Sequence, residues 1–344
     1  LLARNNEHGA AEKLIDLRLN ANFNHTTIAA MLSLEAQNEP PSLRTNIVHG
    51  IIDFSLLAQG RSEKQILVAR LQLARFLDPD NDFAHLLLAQ QQVKSSNYRD
   101  AIENLSAIAS DGPLGQPAMI ALSDIAHENR QFSKAVSILQ NAIAINPEDG
   151  YLYKLLGDSH RRNADYGNSQ DAYETAYEKG YSTSNLHRNL GVTLERLDQK
   201  QAAEKHLKLA LEMNPDDAFA LNYLGYWWAD QGRNLDEAIA LIERAVKLRP
   251  NSGYFIDSLG WVHFRLGDAE TAVRYLEQAT GLEPADSEIT GHLGDVYWYL
   301  GRRDEARFKW RLAIFLAETD GEREKFRTRI KNGLPSSEIV GLPQ

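Results

Sequence analysis

The sequence predicts an all-α solenoid built from tandem helix–turn–helix repeats. Amphipathic helical patterns come in pairs, small residues recur with a fixed period, and a proline closes most of the pairs. Residues 253–286 show the pattern clearly, with Leu259 on the first helix and Ala272 and Leu276 on the second. Residues three and four apart share one helical face. Pro284 ends the second helix because proline cannot continue a helix.

Four slots repeat eight times with a period of 34 residues and together tile residues 48–320. The first slot lies in the first helix and holds Ser55, Ala89, Ser123, Gly157, Gly191, Gly225, Gly260 and Gly294. The second slot holds Leu67, Ala101, Ala135, Ser169, Ala203, Ala238, Ala272 and Ala306, and the third holds Ala74, Ile108, Ala142, Ala176, Ala210, Ala245, Ala279 and Ala313. The closing slot holds Pro79, Pro113, Pro147, Tyr181, Pro215, Pro250, Pro284 and Glu318. One extra residue falls between Gly225 and Ala238. We expect the small slots to lie where helices cross closely.

This pattern resembles the tetratricopeptide repeat (TPR), which is a helix pair of 34 residues. The resemblance implies a right-handed superhelical solenoid of helix–turn–helix repeats. It also implies that one side of each first helix lines a concave groove that binds protein partners.

The two ends of the chain depart from the repeat. Residues 1–47 fit it poorly and are predicted to be a degenerate helical segment that covers the open face of the first repeat, as solenoid ends require. A separate partner-binding arm is the alternative for this segment. Residues 321–344 are predicted to form a capping helix around Phe326 and Ile330, followed by a tail.

The composition excludes several classes of protein. The formal net charge of −10 argues against nonspecific binding to nucleic acid or anionic membrane. No run of 18 apolar residues predicts a membrane-spanning helix, and the absence of cysteine excludes disulfides and thiolate chemistry. Neither zinc-protease nor serine-hydrolase nor phosphate-loop motifs occur. We therefore predict no enzymatic activity, no cofactor and no metal site.

Two kinds of residue stand on the predicted groove side of the first helices. Repeats four and five carry cations, which form a local basic stripe on an acidic chain, and repeats six to eight carry aromatic residues. The predicted partner-binding groove comprises Lys154, Arg161, Arg162, Arg188, Arg196, Phe219, Asn222, Tyr226, Tyr254, Trp261 and Trp298. For Trp261, Phe264 and Trp298, packing between neighbouring first helices is an equal alternative. Trp228, Tyr297 and Trp310 fall in packed slots and are predicted to be core.

Five blocks, at residues 221–226, 236–238, 241–245, 257–261 and 292–298, resemble a group of exported bacterial TPR proteins that are often outer-membrane lipoproteins. One branch of that group is the adaptor of a periplasmic carboxyl-terminal processing protease. The resemblance implies a periplasmic location, a protease as partner, and a signal peptide or lipid anchor upstream of Leu1. A cytoplasmic location remains the alternative. Some TPR domains clamp chaperone tails with Lys and Asn, but here Lys154 is followed by Asp158, which argues against that ligand.

The function predicted from the sequence is a non-enzymatic scaffold or adaptor that binds protein partners in its groove, including a periplasmic protease and its substrates. Aromatic residues supply contact area and arginines supply charge-assisted hydrogen bonds to such a partner. One alternative is a structural assembly module that self-associates through residues 1–47 or through the ends of the stack. Another is a binder of peptidoglycan or other glycan fragments, with the aromatic residues as stacking platforms.

Overall fold

Helices account for almost all of the chain that the computed structural model describes, namely residues 47–52 and 64–335. Within these ranges there is no strand, and residues 47–52 are helical. Sixteen further helices follow: α1 Lys64–Leu77, α2 Asp82–Lys94, α3 Tyr98–Ala107, α4 Gly115–Glu128, α5 Phe132–Ile145, α6 Gly150–Arg162, α7 Tyr166–Glu178, α8 Ser184–Arg196, α9 Lys200–Met213, α10 Ala218–Asp230, α11 Leu235–Leu248, α12 Gly253–Arg265, α13 Ala269–Leu282, α14 Ser287–Tyr299, α15 Arg303–Leu316 and α16 Asp320–Asn332.

The helices pack as consecutive antiparallel pairs, and the chain divides into an N-unit, Leu1–Tyr181, and a C-unit, Ser182–Gln344. In the N-unit, α2 pairs with α3, α4 with α5, and α6 with α7. In the C-unit, α8 pairs with α9, α10 with α11, α12 with α13, and α14 with α15, while α16 packs against α15. The all-α fold class of stacked helix pairs is thereby confirmed. The predicted segment 1–47 lies outside the described residues except for Ile47.

The small slots lie where the two helices of a pair cross, as the sequence predicts. A Cβ added to Gly260 of α12 would come within 2.8 Å of Leu276 Cγ on α13. Gly191 of α8 meets Leu207 at the same distance. The second and third slots of repeats five to eight are buried alanines throughout. Ile108 departs from the pattern because α3 ends at Ala107, and Ile108 is its extended C-cap residue.

Enlarging a third-slot alanine is expected to overpack a crossing. Ala279 is fully buried, and its carbonyl oxygen lies 3.2 Å from the position that a Cβ on Gly253 would occupy. We therefore expect Ala279→Leu to lower the free energy of unfolding by about 1–3 kcal/mol, measured by urea denaturation with circular dichroism. Ala240→Leu, at an exposed position of α11, is the control and should be close to neutral. An unchanged denaturation midpoint for Ala279→Leu would contradict this crossing.

The turns inside the pairs share one backbone feature that the sequence pattern did not reveal. One residue in each turn has positive φ: Ser96, Arg130, Ala164, Asp198, Gly232, Gly267 and Gly301. The extra residue of repeat six also falls in its turn, where Asn234 has φ 49°. Left-handed backbone is costly for residues with a Cβ, so the last three repeats hold the favourable residue there.

Ala164→Gly is expected to stabilise the N-unit. Ala164 has φ 57° between α6 and α7, so glycine relieves backbone strain at a cost only in the entropy of the unfolded chain. We expect a net gain of about 0.5–1 kcal/mol in the free energy of unfolding, measured by urea denaturation. The reverse change, Gly267→Ala at φ 86°, should lose a comparable amount. A loss of stability in Ala164→Gly would show that this turn is not strained.

Candidate functional site

The groove-side cations of the N-unit differ in how far they are already paired. Lys154 Nζ lies 2.7 Å from Asp158 Oδ2, and the Tyr173 hydroxyl donates to Asp158 Oδ1 at 2.6 Å. Arg161 Nε donates to the Tyr173 hydroxyl at 3.4 Å. Burial alone would raise the pKa of Asp158, but Lys154 and Tyr173 hold it below its usual value. Lys154 and Arg161 therefore serve an internal network, whereas Arg162 is exposed.

Arg162 lines a cavity of about 500 Å³ in the N-unit. Its apolar lining comes from three consecutive helices, α2, α3 and α4, and consists of Ala89, Val93, Leu105, Ala121 and Ile125. Lys94, Asp124 and Glu128 join Arg162 as its charged lining residues. The sequence analysis selected Arg162 but missed the cavity, whose signal is Ala121 in a slot where the repeats on either side carry Leu87 and Leu155.

The cations of the C-unit are also engaged. Arg188 Nη1 donates to both carboxylate oxygens of Asp217, at 2.9 and 2.7 Å. Asp217 also caps α10, because its Oδ1 accepts from the backbone N–H of Phe219 and Ala220 at 3.1 Å. Arg196 is exposed, with Nε 3.7 Å from its neighbour Glu195. Arg188 of α8 therefore contacts the N-cap residue of α10. Its guanidinium also lies 5.4 Å from the centre of the Phe219 ring.

Two of the predicted aromatic residues are open to solvent. Phe219 is 49% exposed and Tyr254 is 55% exposed. They occupy the second position of α10 and of α12, which are neighbouring first helices. The Phe219 ring packs edge-on against Phe255 at 5.5 Å, and the Arg249 guanidinium lies 4.6 Å from it. We call Phe219 and Tyr254 the aromatic patch.

The structure places Trp261 in the core, which is the alternative that the sequence left open, and not on the surface of the groove. Its indole is 4% exposed, stacks on His292 at 4.2 Å and lies 5.5 Å from the Phe264 ring. It belongs to the core of the C-unit, so it cannot be an exposed anchor. Trp298 is only partly buried, but it packs on Trp310 at 5.2 Å and faces Gly333. Tyr226 is half-buried, 6.3 Å from the His292 ring.

Trp228, Tyr297 and Trp310 are buried, which confirms the prediction that they are core residues.

Asn222, one turn after Phe219 on α10, has a side-chain oxygen without a hydrogen-bond donor among the described residues. Its Oδ1 is buried and accepts no hydrogen bond from any residue that the structure describes. A buried acceptor without a donor costs about 1–3 kcal/mol.

A buried ionic cluster lies in the C-unit. The sequence indicates an approach of His263 and His292 to Asp257 and Asp295 across repeats seven and eight, but not the participation of Arg329. His292 Nδ1 contacts both oxygens of Asp257 at 3.0 Å, and Arg329 Nη2 lies 3.0 Å from Asp295 Oδ2. Trp310 Nε1 donates to Asp295 Oδ1 at 2.8 Å. Burial raises the pKa of Asp295 to about 6. Burial would lower the pKa of His292, but Asp257 outweighs it and raises that pKa.

This cluster is structural in its geometry. Nowhere in residues 47–52 or 64–335 do three or more metal-capable side chains converge on one point. His263 turns away from the cluster toward Asp268, at 3.6 Å, and stacks on Tyr275. The same part of the chain contains no helix long and apolar enough to cross a membrane.

Comparison with known proteins agrees with the repeat pattern. A family model described as tetratricopeptide repeat matches residues 86–150, 154–218, 196–253 and 258–314. A TPR repeat-containing protein of Pseudomonas aeruginosa is 30% identical over 217 residues, which is 62% of this chain. The chain spans 36% of the length of that relative.

Two solved structures share the fold. The crystal structure of the APC/C hetero-tetramer Cut9-Hcn1 aligns with a TM-score of 0.61 at 16% identity, over 83% of this chain and 55% of the other. A tetratricopeptide repeat protein from Parabacteroides merdae aligns with a TM-score of 0.61 at 13% identity, over 73% of this chain and 99% of the other. At these identities the similarity concerns the fold alone.

Proposed function

The chain belongs to the tetratricopeptide repeat family, and from that premise we propose that it is a non-enzymatic scaffold whose first-helix faces bind a segment of a partner protein. The aromatic patch is the observation that carries this proposal. Phe219 and Tyr254 are large apolar side chains about half exposed on adjacent first helices. Exposed aromatic residues on a rigid surface are typical anchors of protein interfaces.

The surroundings of the patch suit a peptide segment. Arg188 and Arg249 lie beside Phe219 and supply positive charge, while Asp217 holds Arg188 in place. Asn222 lies one turn along the same helix with an acceptor that lacks a donor. Asn222 is partly exposed although its Oδ1 is not, so in the proposed complex its side-chain amide turns over and Oδ1 accepts from a backbone N–H of the partner. Apolar anchoring and main-chain hydrogen bonding together are the usual means of holding an extended or helical segment.

Truncating the aromatic patch is expected to release the partner. Phe219→Ala and Tyr254→Ala should each cost about 2 kcal/mol of binding energy, which is a loss of about 30-fold in affinity. The measurement is the Kd of a partner captured from the native cells, obtained by surface plasmon resonance. Most of the loss should lie in faster dissociation.

Phe308→Ala is the matched control, because Phe308 is 63% exposed on α15, a second helix, and lies outside the proposed face. It should leave the Kd unchanged, and circular dichroism should show all three variants folded. Partner binding that survives both Phe219→Ala and Tyr254→Ala at parental affinity would rule out this face as the binding site.

We further propose that the partner is a periplasmic carboxyl-terminal processing protease, with the chain located in the bacterial envelope as an adaptor. Support comes from the five sequence blocks at residues 221–226, 236–238, 241–245, 257–261 and 292–298, which resemble the group of exported bacterial TPR proteins that includes such an adaptor. The test is direct titration of the purified protease against the chain, with fractionation of cells for the location. Absence of binding at micromolar protease would remove this partner and leave the scaffold proposal intact.

A further inference from the structure

We propose that the cavity between α2, α3 and α4 of the N-unit is a side-chain pocket for a partner segment in which one large apolar residue is flanked by an acidic and a basic residue. This inference rests on the proposed function and names the chemistry of the partner that the N-unit selects. The volume of about 500 Å³ falls within the range of about 300–1,000 Å³ that is usual for ligand sites.

The cavity lies at a small residue of repeat three, in a slot where the repeats on either side carry leucine. Ala121 of α4 lines it, and the positions 34 residues before and after it hold Leu87 and Leu155. In the later repeats the same slot holds Asn189, Tyr223, Ser258 and His292. Its floor also includes Leu105 and Ile125, which are buried core residues. The space is therefore a built feature of an ordered part of the N-unit, and its walls would favour an apolar side chain.

The carboxylate of Asp124 lacks the two close contacts that the equivalent carboxylate of the next repeat makes. Asp158 of α6 is satisfied by Lys154 and Tyr173. Asp124, in the same slot one repeat earlier, has Ile120 and Leu139 at the corresponding positions. Two substitutions thus remove the cation and the hydroxyl that contact the equivalent carboxylate in repeat four. Burial raises the pKa of Asp124, and the attraction of Lys154 and Arg162 offsets only part of that rise.

Charges of both signs line the same cavity. Lys94, Glu128 and Arg162 occupy one slot in three successive first helices, so their charges run positive, negative, positive. No ion pair or hydrogen bond within residues 64–335 engages these three side chains or Asp124. An apolar ligand would desolvate these charged groups and offer them no new hydrogen bond or ion pair. A segment with one acidic and one basic flanking residue meets the two cations and the two carboxylates.

The test uses fluorescein-labelled peptides of equal length, measured by fluorescence polarisation against the whole chain. The first has a central Phe flanked by Asp and Lys, the second replaces the Phe by Ser, and the third replaces both charges by Ser. Unlabelled phenylalanine is the competitor that represents a free zwitterion. We expect the first peptide to bind at least tenfold more tightly than the other two. Phenylalanine should not displace it at equal concentration.

Ala121→Leu is the decisive variant, because it fills the cavity with the residue that repeat four carries in the same slot. It should weaken the first peptide at least tenfold without lowering the melting temperature. Asp124→Asn should weaken the first peptide and leave the charge-free peptide unchanged. Glu103→Gln, at an exposed position of α3 that does not line the cavity, is the control and should alter neither.

Three results would overturn the pocket: no preference for the first peptide, parental binding by Ala121→Leu, or phenylalanine that competes as well as the peptide. Different results would contradict the proposed function. If the captured partner is lost in the aromatic-patch variants but retained by Ala121→Leu, the scaffold proposal stands and the pocket proposal does not. If Ala121→Leu releases the partner while the patch variants keep it, the pocket stands and the aromatic patch does not.

Discussion

Arg329→Met should undock helix α16 from the C-unit. Arg329 is buried and lies 3.0 Å from Asp295 Oδ2, which is itself fully buried. Removing the cation leaves the Asp295 carboxyl in the core, with the Trp310 indole N–H as its one hydrogen-bond donor among the described residues. Breaking a buried pair in this way typically costs about 3–5 kcal/mol, because the carboxylate that remains either stays charged without compensation or takes up a proton. Since α16 is a single terminal helix, the cost should appear as local opening of residues 320–332.

Hydrogen exchange read by mass spectrometry measures that opening directly. All five tryptophans of the chain lie in the C-unit, so tryptophan fluorescence reports on the same region. Arg327→Met is the matched control, since Arg327 pairs with Glu324 on the exposed face of the same helix at 3.3 Å. Surface pairs contribute little, so protection of α16 should hardly change. Arg329→Met with parental protection would show that the buried pair does not hold α16.

A double-mutant cycle separates the energy of the Asp295–Arg329 ion pair from the packing energy of the two side chains. Asp295→Asn alone removes the carboxylate that lies 3.0 Å from Arg329 and should also destabilise. The combination of Asp295→Asn and Arg329→Met removes both charges and should recover much of the loss, because a neutral core has no ion to desolvate. Strict additivity of the two single changes would mean that they do not interact.

The repeat architecture was predictable because its determinants are local. Ala272 and Ala279 lie seven residues apart on one face, and the proline that follows ends the helix, so periodicity alone identifies the pair. The backbone conformation of the turns could not be predicted from the sequence. Ala164 adopts the backbone conformation of Gly267, which no residue preference would indicate. There the packing of the two flanking helices determines the conformation, and the side chain accommodates it.

The site was predictable only in part because its charges and rings find partners in other repeats. The Lys154–Asp158 pair is four residues apart and can be inferred from a helix. Arg188 meets Asp217 across 29 residues, and Trp261 stacks on His292 of the next first helix. Helical periodicity gives the side of a helix that a residue faces, but the neighbouring helix decides whether that side is covered. For this reason Phe219 and Tyr254 remained exposed and Trp261 did not.

Gly294→Ala should destabilise the C-unit, although alanine is the better helix former. A Cβ at Gly294 would lie 2.6 Å from Trp310 Cδ1 and 2.7 Å from Trp310 Nε1. The indole cannot move freely, because it is fully buried and its N–H donates to Asp295. Overpacking of this kind costs about 1–3 kcal/mol, and loss of the hydrogen bond to a buried carboxylate adds about 1–3 kcal/mol.

The control is the same substitution, glycine to alanine, at a position where the added methyl group makes no contact. Gly281 lies within α13, and a Cβ there would have no neighbouring atom within 4 Å. Gly281→Ala should therefore stabilise by about 0.5–1 kcal/mol, the ordinary gain of alanine over glycine in a helix. Urea denaturation followed by tryptophan fluorescence should give opposite signs for the two variants. If Gly294→Ala also stabilises, then Trp310 has room to shift, and the small slot of repeat eight is not required by close packing.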